Sequence, residues 1–218
     1  MNKKKTLKKK NVKVGEVIGI GAYGCVINPS IILINTQDPY SIVSKIIETK
    51  YAEKELDILQ DLQLIDPKGL YTSVLIEFSP LTRQIFLKQC QETQDDIKQC
   101  NKGKSTFQNI SIINTTNIGL SLENHLKFYD KPRLTEKEIF IKNDIHNIKL
   151  NFREIVCNLL EGLNHFHKNN IIHRDIKPEN IAFKQNEEKF TVLNDNTEYN
   201  KYLCKYLDFG ISFNFSKD

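Results

Sequence analysis

His173-Arg174-Asp175-Ile176-Lys177-Pro178-Glu179-Asn180 is the stretch on which the fold of this chain turns. It sets a carboxylate, an ammonium and an amide (Asp175, Lys177 and Asn180) at short fixed intervals. An apolar run at helical spacing, Phe152, Ile155, Leu159, Leu163 and Phe166, leads into it. Asp208-Phe209-Gly210 follows it. A lone Asp or Asn is ordinarily turn chemistry. The complete ordered set is too specific for that reading.

Upstream, Ile18-Gly19-Ile20-Gly21-Ala22-Tyr23-Gly24-Cys25-Val26 has three glycines spaced as in loops that cradle phosphates. Glycines let backbone come close to a phosphate and adopt positive φ. The same spacing serves dinucleotide folds, where a strand leads in and a helix follows. Here β-prone runs lie on both sides, 12–18 and 26–34, which predicts a strand–loop–strand hairpin. Ile42-Val43-Ser44-Lys45 reads as a further strand. A helix over 51–62 follows, with Ala52, Leu56, Leu59 and Leu62 at helical spacing. Two acidic residues compete for a role there, and Glu53 sits about 200° around the helix from Glu55. Glu53, Lys54 and Asp57 are read as a solvated face.

Together these parts resemble eukaryotic-type Ser/Thr protein kinases, in the style of those of large DNA viruses, over roughly residues 14–212. The resemblance implies an α+β, two-lobed fold with a complete β-rich small lobe and an incomplete helical large lobe. The expected division is a basic tail over 1–11, the small lobe over 12–118 and the partial large lobe over 119–218. The implied function is transfer of the γ-phosphoryl group of Mg-ATP to a protein hydroxyl. Ile18, Gly19, Gly21, Gly24 and Val26 would cover ATP, and Lys45, paired with Glu55, would hold its α- and β-phosphates. Asp175 would take the proton of the attacking hydroxyl, and Lys177 would offset charge at the transferring group. Asn180 and Asp208 would hold Mg²⁺. Lys177, two residues after Asp175, matches Ser/Thr rather than Tyr kinases. Small-molecule kinases of the superfamily usually lack the full run, so a protein substrate ranks first. The family's histidine and arginine, here His173 and Arg174, pack near the Asp-Phe-Gly turn and meet a phosphorylated residue. Ser44 departs from the usual apolar residue and the interval from Lys45 to Glu55 is short. Either departure is expected to loosen the ion pair.

The family continues beyond Asp-Phe-Gly with an activation segment, an Ala-Pro-Glu motif and further helices, whereas this sequence stops at Asp218. A large lobe cut short is therefore expected. The stripe from Phe152 to Phe166 would stay wet, each side chain forfeiting on the order of 1.5–3 kcal/mol of burial. Such surface predicts aggregation or a partner chain that covers it. Two alternatives stand beside the enzyme: a nucleotide-binding pseudokinase acting as an interaction module, and a split-gene fragment with no independent fold.

At 218 residues one two-lobed domain is expected. Six lysines in the first ten residues turn a net charge of +4 into −2 for the remainder. The tail is read as solvated, capable of salt-sensitive contact with anions but not of specific nucleic-acid recognition. No apolar segment follows it, as a signal peptide requires, and no stretch reaches membrane-span length. The five cysteines form no Cys-x-x-Cys pair, so reduced thiols in a cytoplasmic setting (host cytoplasm, if viral) are expected. Cys157 is assigned to the core and Cys25 to packing in the glycine loop. His125 and His146 are placed on the surface, and His165 and His167 at a helix C-terminus that favours cations. Polar segments 89–106 and 184–201 are read as surface excursions, the first extending a loop between small-lobe strands and the second extending the hairpin between 173–180 and Cys204-Lys205-Tyr206-Leu207. Residues 107–113 read as the strand entering the inter-lobe hinge, 114–117 as its adenine-facing link and Gly119-Leu120-Ser121-Leu122 as its exit.

Overall fold

The computed structural model describes residues 16–20, 24–30, 38–82, 109–127, 135, 146–191 and 198–217. Gly21, the basic tail, Cys90, Cys100 and the segment 89–106 lie outside the described residues.

Five antiparallel strands form the first half: β1 (Glu16–Ile20), β2 (Gly24–Asn28), β3 (Ile42–Glu48), β4 (Leu75–Thr82) and β5 (Asn109–Thr116), ordered β1-β2-β3-β5-β4. The β1–β2 hairpin flanks the glycine loop, with a bulge between Val17 and Gly19. Strand β3 is rich in β-branched residues and alternates between two faces. Ile42, Ser44 and Ile46 are buried on one face, while Ile47, on the other with Lys45, packs under helix α1 (Thr49–Ile65). Helix α1 buries Ala52, Glu55, Ile58, Leu59 and Leu62 and leaves Glu53, Lys54 and Asp57 in solvent. It stops at Asp66, whose carboxylate accepts the N–H groups of Leu70, Tyr71 and Thr72 and so organises the turn into β4.

The second half contains α2 (Leu122–Lys127), α3 (Phe152–Lys168), β6 (Ile171–Ile172), β7 (Ile181–Thr191), β8 (Glu198–Tyr206) and β9 (Phe213–Asn214). Helix α3 ends where Asn169 donates its N–H to the Phe166 carbonyl and Asn170 takes a left-handed conformation (φ 63°), which asparagine tolerates. Its Phe166 is the hub of the core, edge-on to Tyr206 and Phe209 at 5.5 and 5.7 Å between centroids. The two halves join where Tyr206 donates its N–H to the Tyr71 carbonyl and pairs with Thr72 in an isolated bridge.

Several expectations are corrected here. The α3 stripe does not stay wet throughout: Ile155 packs against the β7–β8 hairpin, and Phe166 is enclosed by α1, β8 and Phe209. Phe152 and the neighbouring-face Leu160 do remain exposed. Cys157 is exposed rather than core, because its position on α3 faces away from both clusters. His125 is buried, its Nδ1 2.9 Å from the Ser121 carbonyl oxygen and its ring perpendicular to Phe183. His165 serves packing at the helix end, with Nε2 2.9 Å from the carbonyl oxygen of Ile65 on α1. Cys25 is buried and disulfide-bonded, against the expectation of reduced thiols throughout. As expected for 184–201, the hairpin after the loop 173–180 is extended, its strands pairing as far as Thr191 and Glu198, while 192–197 lie outside the described residues. Strand β5 runs on to Thr116, so most of 114–117 is strand and not link. The N–H groups of Thr116 and Asn117 are taken by the carbonyls of Val74 and Ser41. Among the described residues no helix is long and apolar enough to cross a membrane.

Candidate functional site

Two clusters of charged and polar side chains meet beneath the sheet. The first is centred on Lys45. Its Nζ lies 2.7 Å from Oε2 of Glu55 on α1 and 2.8 Å from Oδ1 of Asp208. Glu55 is buried, Lys45 partly so, and the carboxylate of Asp208 is accessible. Burial alone would lower the Lys45 pKa, but the carboxylates of Glu55 and Asp208 hold it above the ordinary lysine value. Burial pushes Glu55 upward despite Lys45, with Asp208 adding to the push. Asp208 moves the other way, because Lys45 and the Gly210 N–H outweigh its burial.

The ion pair is not loosened by Ser44 or by the short interval to Glu55. Alternation along β3 turns Ser44 to the face opposite Lys45, where its hydroxyl donates to Asn114 Oδ1 at 2.6 Å. Asn114 in turn donates to Glu77 at 3.2 Å. The turn after Asp208 is tight as well. A Cβ on Gly210 would sit 3.2 Å from both Asp208 Oδ1 and Glu55 Oε2.

The second cluster lies in the loop between β6 and β7. Asn180, buried at the end of a 3-10 turn spanning Pro178–Asn180, donates its amide to Asp175 Oδ2 at 2.8 Å and to the Asp175 carbonyl at 2.9 Å. Lys177 Nζ is 2.9 Å from the same Asp175 oxygen, which raises its pKa. His173 links this cluster to the first. Its Nδ1 accepts the Asp175 N–H, so Nε2 carries the hydrogen donated to the Leu207 carbonyl, 2.9 Å away. The Leu207 N–H returns a bond to the Asn180 carbonyl. Arg174, at positive φ, donates from Nε to the Ile211 carbonyl and lies over the ring of Phe213.

Of the glycine-loop positions, Gly19, Gly24 and Val26 lie in the β1–β2 hairpin, with Val26 opposite Lys45 of β3, and Ile18 is exposed in the bulge. Gly24 is required by the sheet itself, because a Cβ there would fall 2.1 Å from the Ile46 carbonyl oxygen. At Gly19 a Cβ would meet only Val26, at an ordinary 3.9 Å.

Sequence spacing missed one residue of this neighbourhood, Asp61 on α1. It accepts the Asn214 amide at 2.7 Å and pairs with Lys217 at 2.8 Å. The available signal was a charge placed between the core positions Ile58 and Leu62 of an amphipathic helix.

Similar proteins include sequence relatives over part of the chain and a solved structure of the same fold. Over 61 residues the chain is 34% identical to calcium-dependent protein kinase 4 of Plasmodium falciparum, covering 28% of this chain and 10% of that protein. It is 49% identical over 51 residues to a non-specific serine/threonine protein kinase of Drosophila melanogaster, covering 22% and 8%. A crystallised kinase domain superposes with a TM-score of 0.51 at 19% identity, over 93% of this chain and 51% of the other. The chain thus spans about a tenth of these curated relatives and about half of that solved chain. The protein kinase domain family matches residues 12–218, taking in the strand that bears Lys45 and the turn that bears Asp208. A chain matched over that span, with the same fold, belongs to the protein kinase domain family.

Proposed function

We propose that the chain is a Ser/Thr protein kinase that transfers the γ-phosphoryl group of ATP to a protein hydroxyl, with 12–118 as its small lobe and 119–218 in its large lobe. The observation that carries this reading is the bridging of Glu55 and Asp208 by Lys45, beside the Asp175–Asn180–Lys177 cluster. Phosphoryl transfer needs positioning and charge neutralisation more than covalent help.

Lys45, steadied by Glu55, binds the α- and β-phosphates, and the hairpin with Ile18, Gly19, Gly21, Gly24 and Val26 covers them. Among the described residues no three His, Cys, Asp or Glu side chains gather as metal ligands. Asn180 and Asp208 offer one amide and one carboxylate, a hard-oxygen set that suits Mg²⁺ when phosphate oxygens complete it. Bound there, Mg²⁺ supplies charge neutralisation on the phosphate oxygens. Asp175 orients the hydroxyl and takes its proton as the oxygen bonds to the γ-phosphorus. The bond from that phosphorus to the β,γ-bridging oxygen breaks, and ADP carries the electron pair away. Lys177, beside Asp175, offsets charge on the transferring group. Its position favours Ser/Thr over Tyr acceptors.

A second reading, a nucleotide-binding module that acts through interaction, is favoured by one observation. Phe152 and Leu160 stand 65% and 60% exposed on α3, a surface suited to a covering polypeptide. Incubation of the purified chain with Mg²⁺, γ-labelled ATP and a generic protein substrate, alongside Asp175→Asn, separates the two. Transfer abolished by the substitution supports the kinase. Thermal stabilisation by nucleotide without transfer supports the module.

A further inference from the structure

We propose that Asp61 is a positioning residue that fixes α1, and with it Glu55, to the strand supporting the loop 173–180. The inference rests on the kinase reading for its functional meaning and on geometry for its substance. Asp61 lies six residues after Glu55, about 9 Å further along α1 and about 120° around it. Its side chain is only 14% exposed, and both oxygens are engaged: Oδ2 accepts the Asn214 amide and Oδ1 pairs with Lys217. An exposed Lys–Asp pair by itself contributes little. Here the carboxylate is largely enclosed and an amide shares it.

Asn214 belongs to β9, and β9 is fastened on its far side. Ile171 and Ile172 of β6 pair with Asn214 and Phe213. Phe215 donates its N–H to the Asn170 carbonyl, and the Ser212 hydroxyl donates to the His173 carbonyl. Helix α1 is therefore attached twice to the ten residues that follow Leu207. One attachment runs from Glu55 through Lys45 to Asp208, the other from Asp61 to Asn214 and Lys217. The buried face of α1 is already held by the core cluster under the sheet, and these two polar attachments add ties to 208–217 that packing alone does not supply. Because the two lie at different azimuths and heights, they resist small rolls and tilts of α1 on that packing, so the orientation of Glu55 toward Lys45 is tuned by β9.

Backbone amide hydrogen exchange on the full chain tests this, in wild type, Asp61→Ala, Asp61→Asn, Asn214→Ala and the Asp61→Ala/Asn214→Ala pair. Asp61→Ala is expected to speed exchange about fivefold or more in 52–60 and in 207–215, leaving the β7–β8 hairpin unchanged. Asn214→Ala should do the same, the double variant should add little, and Asp61→Asn, which keeps an acceptor, should fall between. Faster exchange confined to 60–62, or raised equally along the whole chain, would overturn the proposal. If Asp61→Ala does not fold, Asn214→Ala decides the question alone. In the transfer assay the variants should lose kcat with little change in KM for ATP. Wild-type chain without any transfer would sink the kinase reading and leave the exchange result standing.

Discussion

The imidazole of His173 lies 4.5 Å, centroid to centroid, from the ring of Phe209. That contact buries a titratable ring between the Asp175 and Asp208 segments, with Nδ1 accepting from Asp175 N–H and Nε2 donating to the Leu207 carbonyl. Burial lowers its pKa below the ordinary 6.5, and the hydrogen bond to the Leu207 carbonyl, with the nearby Asp208 and Asp175, only partly offsets this.

A pH dependence follows. The unfolded chain takes up a proton at this residue near the ordinary value, while the folded chain resists until lower pH. The contribution of His173 is thus full above 6.5 and is lost as pH falls from there through the folded value. Thermal unfolding at about pH 7.5 and about pH 5.5 should show a smaller drop for His173→Phe than for wild type, since phenylalanine cannot titrate. The variant should also start about 1–3 kcal/mol less stable, because Leu207 and Asp175 lose their partners. Equal drops in both proteins would refute the assignment.

Removing the shared cation should cost more than removing the buried anion. Lys45→Met leaves Glu55 and Asp208 facing each other uncompensated, for a loss of about 3 kcal/mol in urea unfolding at neutral pH. Glu55→Gln should cost about 1 kcal/mol, because Asp208 still pairs with Lys45 and burial already favours the neutral form of Glu55. The Lys45→Met deficit should shrink as pH is lowered, because burial and the facing Asp208 already push Glu55 toward its protonated form and the substitution removes the cation that opposes them. A Glu55→Gln loss equal to or larger than that of Lys45→Met would contradict this ordering.

The glycines of the hairpin should separate into two kinds. Gly24→Ala drives a Cβ into the Ile46 carbonyl and should cost about 1–3 kcal/mol of stability. Gly19→Ala meets only Val26 Cβ and should leave the unfolding midpoint unchanged. If the hairpin covers a nucleotide, the added methyl should weaken ATP binding about tenfold, read by titration calorimetry. A Gly19 variant as unstable as the Gly24 one would remove the distinction.

Much of the site is legible along the chain because its parts are short-range. Glu55 is singled out from Glu53 by its resemblance to the kinase pattern Glu-x-x-Ile-Leu before Ile58 and Leu59, and Asp175, Lys177 and Asn180 are fixed within a single loop. The surroundings are not legible in that way. The hydroxyl of Ser44 meets an amide 70 residues away, and Asp61 meets one 153 residues away. No local period reports such partners. His125 and Cys157 were misplaced for a related reason: helical spacing gives faces, but only the packed neighbours decide which face is covered.

The order of residues by itself determined the family, the strand-and-helix order around the glycine loop, and the identity of the charged groups that converge. Tertiary structure alone decided how Lys45 divides its charge between two carboxylates, which tautomer His173 holds, and how α1 is tied to β9. Those outcomes depend on burial and on donors and acceptors brought together from distant segments, and both come into being only when the sheet, α1 and α3 close on one core.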